Sequence, residues 1–164
     1  MSLNWTERLT LETSADAEAF GAALAVDLAA GDVLVLSGAL GAGKTTLTRG
    51  IGSGFGVRGP ITSPTFVVAR THPSECGGAP LVHVDAYRLA DAREFDDLDI
   101  DFAASLVVVE WGAGMLDGVV DSWLEIDLQR GRGDDTDAST DEEPRECVVR
   151  GYGPRWRDRP GALA

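Results

Sequence analysis

Lysine is nearly missing from this chain: of its fourteen basic residues only Lys44 is a lysine. Basic charge as a whole is scarce. Acids number 27 against those 14, for a formal charge of −13, so the Lys/Arg surface that neutralises nucleic-acid phosphates is lacking, and binding of DNA or RNA by the chain alone is not expected. No apolar run approaches the roughly 18 to 20 residues of a membrane-spanning helix, and Met1-Ser2-Leu3-Asn4-Trp5 has no basic region followed by an apolar core. A cytoplasmic, soluble protein with no membrane partner is the expectation. The two cysteines, Cys76 and Cys147, lie far apart with neither a C-x-x-C spacing nor a histidine pair beside them; this argues against a zinc site or a disulfide framework and for two free thiols. The 164 residues suffice for one domain with a core and are too few for a second large one.

What the chain does hold is Gly38-Ala39-Leu40-Gly41-Ala42-Gly43-Lys44-Thr45, which fits G-x-x-x-x-G-K-[ST]. The stretch lies between a buried-strand run, Asp32-Val33-Leu34-Val35-Leu36-Ser37, and a helical run in which Leu47 and Ile51 are one turn apart. In such a loop glycines allow the backbone to turn its N–H groups onto a phosphate chain, and the helix N-terminus adds a fixed positive partial charge. Gly38, Leu40, Gly41, Ala42, Gly43, Lys44, Thr45 and Thr46 are therefore the candidate nucleotide-binding residues, with Lys44 reaching the β/γ-phosphates and the Thr45 hydroxyl offered to Mg²⁺. A chain that otherwise uses only arginine keeps its one lysine where a compact ammonium is required.

Around this loop the pattern predicts an α/β fold of the P-loop NTPase kind, a mostly parallel central sheet with flanking helices and an antiparallel C-terminal hairpin. Residues 5–12 read as an edge strand, and Ser14 as the N-cap of a helix carrying Phe20, Leu24 and Leu28, with Gly31 as its stop. The loop's helix is expected to end within Gly50–Gly56, where four glycines make continuation costly. Strands are expected over Phe66–Arg70, Leu81–Asp85, Leu106–Trp111 and Trp123–Leu128, and a short acidic helix over 91–101 with Phe95, Leu98 and Phe102 on one face. Residues 130–144, with six acids and almost no apolar side chains, read as a disordered loop; Cys147-Val148-Val149 returns as the hairpin partner of the 123–128 strand. The basic stretch 152–164 reads as a flexible tail.

Acids at the carboxyl ends of parallel strands face the ligand in such sheets. Asp85, after Leu81-Val82-His83-Val84, has the form of an acid that holds Mg²⁺ directly or through water, and Glu110, after Leu106–Val109, is a second acid suited to metal or to an attacking water. His83, on the opposite strand face from Val82 and Val84, reads as a packed, hydrogen-bonded residue.

Four motifs in order, the loop Gly38–Thr46, Ser63-Pro64-Thr65-Phe66, His83-Val84-Asp85-Ala86-Tyr87-Arg88-Leu89 and Val109-Glu110-Trp111, resemble the bacterial TsaE (YjeE) family over about residues 6–129. The resemblance implies a small ATPase, with ATP and Mg²⁺, needed for threonylcarbamoyladenosine in tRNAs that read codons beginning with A, and working with the partners TsaB and TsaD, through which tRNA is reached. It also implies that Thr65 is a switch residue near the γ-phosphate, that Asp85 and Glu110 are the magnesium and catalytic acids, and that Ser14, before the first helix, lies near the nucleotide. The chain departs from the family in lacking Leu-Pro at Leu116-Asp117 and in carrying the acidic insert. Rival readings are a small-molecule kinase, which would usually carry an arginine-rich lid where this chain is acidic after Asp85, and a non-catalytic nucleotide-sensing adaptor. A GTPase is excluded, because its Asn/Thr-Lys-x-Asp element needs a lysine that is absent.

Overall fold

The computed structural model describes residues 3–38, 43–59, 61, 68–89, 92–111, 114, 116, 118–130 and 144–163. Seven strands, β1 (Leu3–Leu11), β2 (Val33–Gly38), β3 (Ala69–His72), β4 (Leu81–Asp85), β5 (Leu106–Glu110), β6 (Trp123–Arg130) and β7 (Arg145–Tyr152), form one sheet in the order β1-β7-β6-β2-β5-β4-β3. The four central strands β6, β2, β5 and β4 run parallel; β3 closes one flank antiparallel, while β7 and then β1 close the other. The expected hairpin is thus β6–β7, and the expected edge strand β1 lies outside it, paired to β7. Among the described residues no helix is long and apolar enough to cross a membrane.

Central parallel strands are covered on both faces, so they read as unbroken apolar runs. Val33–Leu36 and Leu106–Val109 are all buried. One face (Leu34, Leu36, Leu106, Val108, Leu124, Ile126) packs against α1 (Ser14–Ala25) and α2 (Lys44–Phe55) through Phe20, Leu24, Leu47 and Ile51. The other (Val33, Val35, Val82, Val84, Val107, Val109) packs on Phe95 of α3 (Ala92–Asp96), Leu116 and Trp123. Helix α2 runs through Gly50, Gly52 and Gly54 and is capped only at Gly56, whose φ is +84°. The helical cost of these glycines is offset by how close α1 comes. A Cβ at Gly50 would lie 2.2 Å from the carbonyl oxygen of Glu18, one at Gly54 2.7 Å from that of Ala22, and one at Gly21 2.6 Å from that of Leu47.

Several expectations are corrected. Thr13, not Ser14, caps α1: its Oγ1 accepts the Asp16 N–H at 3.1 Å while the Asp16 carboxylate accepts the Thr13 N–H at 3.2 Å, a reciprocal box that needs an acceptor side chain three residues on, which Ser14, with Ala17 there, lacks. Ser14 is the first helical residue, and the helix ends at Ala25, short of Leu28 and Gly31. The acidic helix stops at Asp96; Asp99 has φ +54°, and Phe102 joins Phe95, ring centres 5.9 Å apart, from a separate 3₁₀ turn, Phe102–Ala104. Of the expected strand Phe66–Arg70 the described part begins at Ala69 and continues to His72, residues 66 and 67 lying outside the described residues, as does 131–143, nearly all of the expected acidic loop.

The C-terminal segment is not a loose tail. Trp156 is 1% exposed and belongs to the core cluster. Its carbonyl oxygen accepts from Trp5 Nε1 at 2.8 Å and Asn4 Nδ2 at 2.9 Å. Arg155 donates twice to the buried Asp32 carboxylate, at 2.9 and 3.1 Å.

Candidate functional site

Strand β2 ends at Gly38 with φ +139°, and α2 starts after Gly43, whose φ of +102° lies in the left-handed region that favours glycine. Between them lie Ala39, Leu40, Gly41 and Ala42, outside the described residues. Lys44 opens α2 with its side chain folded back: Nζ donates to the Gly38 carbonyl oxygen at 2.7 Å and stands 4.1 Å from the centre of the Trp111 ring. Thr45 and Thr46 follow in the first turn, each partly exposed.

The acids arrive from neighbouring strands in one register. Leu36 pairs with Glu110 and Glu110 with Asp85, so β4 and β5 end level with each other while β2 continues past them to Gly38. Alternation along β4 and β5 turns His83, Asp85 and Glu110 to the face covered by α1 and α2. Asp85 is partly buried and caps the 3₁₀ turn Ala86–Arg88, its Oδ1 accepting the Tyr87 N–H at 3.0 Å. Glu110 is 5% exposed, and its Oε2 lies 2.9 Å from His83 Nε2. Both carboxylates act on Lys44. Burial pushes the Lys44 ammonium below the ordinary lysine value of 10.5, and the charges of Glu110 and then Asp85 pull it back up.

Trp111, directly after Glu110, adopts φ +63°, an uncommon setting for a bulky residue, and meets the exposed Tyr87 edge to face at 5.6 Å. The two rings form one wall beside Lys44.

Lys44, Asp85 and Glu110 are therefore brought together. Ser14 sits at the start of α1, which follows the end of β1 at the same edge of the sheet; Leu11 pairs there with Arg145. Thr65 lies outside the described residues. Sequence reasoning missed Arg145, a buried residue at the start of β7 whose side chain packs on the loop's last glycine: a Cβ at Gly43 would lie 3.2 Å from Arg145 Nε. Its signal was slight, one arginine after an acidic stretch. The His83–Glu110 contact was readable from period-two alternation, which sets His83 on the face of Asp85.

Oxygen donors suit magnesium, which takes one or two carboxylates plus substrate phosphates and waters in place of an all-protein cage. The site fits. Among the described residues no three His, Cys, Asp or Glu side chains gather to hold a metal unaided, while Asp85, Glu110 and the Thr45 hydroxyl offer hard oxygens beside a lysine. A separate cleft of about 770 Å³, bounded by Gly31, Asp32, Phe102, Val120 and Arg155, opens at the amino ends of the strands, away from the end where α/β sheets bind ligands.

The model of the family "Threonylcarbamoyl adenosine biosynthesis protein TsaE" matches residues 11–138. The chain belongs to the TsaE family. A TsaE protein of Streptomyces coelicolor, named as a tRNA threonylcarbamoyladenosine biosynthesis protein, is 52% identical over 139 residues, covering 83% of this chain and 90% of that one. A TsaE protein of the same name from Mycobacterium tuberculosis is 46% identical over 80% of this chain and 83% of its own length. One from Bacillus subtilis is 40% identical over 64% and 65% of the two chains. Among solved structures, Bacillus subtilis YdiB superposes with a TM-score of 0.71 over 95% of this chain and 91% of its own, at 24% identity, a likeness of fold. The TsaE match ends before β7, so Arg145 lies beyond it.

Proposed function

We propose that this protein is a magnesium-dependent ATPase that serves tRNA N6-threonylcarbamoyladenosine formation in the cytoplasm together with TsaB- and TsaD-like partners. The observation that carries the reading is the convergence of Lys44, Asp85 and Glu110 at the carboxyl ends of β2, β4 and β5, next to Gly38 and Gly43, both of positive φ. The family's name supports the assignment to threonylcarbamoyladenosine biosynthesis.

Each residue has a task that follows from its chemistry. Gly43 caps the start of α2 without a Cβ in the way, so backbone N–H groups at the helix start can turn to phosphate oxygens. Lys44 gives up its bond to the Gly38 carbonyl for a phosphate oxygen, exchanging a neutral acceptor for a charged one. Asp85 and the Thr45 hydroxyl would hold magnesium, and Glu110 would order a metal-bound or attacking water. When bound, magnesium neutralises charge on the transferring phosphoryl group. No arginine-rich lid is visible in the sequence, so the chain alone should turn over slowly and the partners should supply closure. A formal charge of −13 supports leaving tRNA contact to the partners.

Phosphate release at saturating MgATP, measured for the chain alone, with a TsaB–TsaD pair, and with candidate small-molecule acceptors, tests the reading. Stimulation by the pair is expected. Stimulation by an acceptor alone would move the protein to the kinases, and ATP binding with no turnover under any condition would leave a nucleotide-sensing adaptor. Asp85→Ala should weaken magnesium-dependent nucleotide binding, whereas Glu110→Ala should chiefly lower turnover.

A further inference from the structure

We propose that His83 is a positioning residue for Glu110: its Nε2–H holds one oxygen of the Glu110 carboxylate so that the other is turned to the site shared with Asp85 and Lys44. The inference rests on the ATPase reading and adds to it a residue outside the ligand set for nucleotide or metal.

Register makes such a device necessary. Asp85 and Glu110 are direct cross-strand neighbours on one face, and like charges in that relation repel. Each is held by a separate donor. Asp85 Oδ1 takes the Tyr87 N–H at 3.0 Å. Glu110 Oε2 takes His83 at 2.9 Å, from a residue that opposes Val108 and so reaches Glu110 on the diagonal. One oxygen of each acid is committed in this way, and among the described residues the other oxygen of each has no hydrogen bond of its own.

The chemistry of the pair assigns the proton. An ionised carboxylate only accepts, so Nε2 must donate. The Nδ1 atom is then a bare acceptor; it is buried, and among the described residues it has no hydrogen-bond partner. His83 is 0% exposed, and a core position that leaves a ring nitrogen unmatched pays a desolvation cost that leucine would avoid. Packing alone does not account for histidine here; the bond to Glu110 does. A buried carboxylate fixed before ligand binding loses no rotamer freedom when the ligand arrives, as with outer-shell groups that orient metal ligands.

The test uses the full chain, with ring-nitrogen NMR on the ligand-free protein and MgATP turnover on the same variants. The chain has two histidines, His72 and His83, so His72→Gln assigns the spectrum. Expected is a His83 ring protonated at Nε2 and bare at Nδ1, with its signals shifted in Glu110→Gln. His83→Leu should lower kcat, or raise the magnesium concentration for half-maximal rate, by roughly tenfold or more while ATP affinity stays within about twofold. His83→Gln, which keeps an N–H at similar reach, should recover most of the loss. In a Glu110→Gln background His83→Leu should cost nothing further. A ring protonated at Nδ1, losses that add in the double variant, or a well-folded His83→Gln as slow as Glu110→Gln would overturn the proposal; the His83→Gln comparison and the NMR decide it even if His83→Leu does not fold. Wild-type turnover left unchanged in a folded His83→Leu would overturn this inference alone, whereas a wild-type chain that binds no ATP would overturn the ATPase reading as well.

Discussion

Lys44 carries its ammonium 4.1 Å from the centre of the Trp111 ring. A cation over an indole face is stabilised by about 0.5–2 kcal/mol, the more so when desolvated, and Lys44 is 6% exposed. Phosphate must draw it off that ring, so ATP should change tryptophan emission, and Trp111→Phe should abolish the change while ATP still binds. Lys44→Met should weaken ATP binding roughly 10- to 100-fold, the worth of a charged hydrogen bond, without loss of melting temperature, because a buried charge is removed. Titration calorimetry and thermal melts check both. The pH dependence has two signs. Binding needs the charged amine, so affinity should fall as pH rises through a Lys44 pKa lying below 10.5. Between that lowered value and 10.5 the unfolded chain holds the proton that the folded one has released, so the Lys44 contribution to stability should rise with pH over the same window. The difference between wild type and Lys44→Met in denaturant titrations isolates it.

Gly50→Ala sets two effects against each other. Alanine favours a helix by about 0.8–1 kcal/mol, but the added Cβ would lie 2.2 Å from the Glu18 carbonyl oxygen, a backbone atom that cannot swing away. Overpacking of about 1–3 kcal/mol outweighs the gain. A lower melting temperature is expected, and an unchanged or higher one would show that α1 and α2 separate at little cost.

Trp156→Ala should be severe, on the order of 3–5 kcal/mol as for other buried large aromatics. Arg155→Ala should cost less, but leave the 5%-exposed Asp32 without its charged partner. Denaturant unfolding of both variants checks the order; a Trp156→Ala protein as stable as wild type would return 152–164 to the status of a loose tail.

The two thiols should differ. Cys76 is exposed and Cys147 buried; burial, with Asp127 adding to it, pushes the Cys147 thiol up to about 12. A thiol reagent at neutral pH should label one cysteine in the native protein and the second only on unfolding. The folded state keeps that proton above the ordinary value of 9.0, so this residue's share of stability is intact below pH 9.0 and is lost as pH climbs toward about 12.

The parallel centre of the sheet was legible because strands covered on both faces leave unbroken runs such as Leu106–Val109, each ending in a polar residue at the ligand side. The loop Gly38–Thr45 was legible because its chemistry is local. What escaped was long-range. Arg155 and Trp156 look like an exposed basic end in their own neighbourhood, and the groups that bury them, Asp32, Asn4 and Trp5, are distant in the chain. Arg145 meets Gly43 only because β7 enters the sheet beside β6. Thr13 and Ser14 are equally good caps by composition, and the choice turned on the spacing to Asp16. The end of α2 falls at Gly56, within the expected stretch, but its passage through Gly50 and Gly54 is explained only by the path of α1.

The sheet order also dictates a sequence of assembly. Among the described strands β1 pairs with β7 alone, so the first strand made must wait for the last. During synthesis β2, β4, β5 and β6 can join as they emerge, leaving β6 with an open edge and β1 with nothing to pair with, a state prone to mispairing with other chains. Closure by β7 removes the β6 edge, recruits β1 and brings Arg145 onto Gly43 in one event. A chain stalled before Arg145 would have its acids and its lysine in place and Gly43 without that cover.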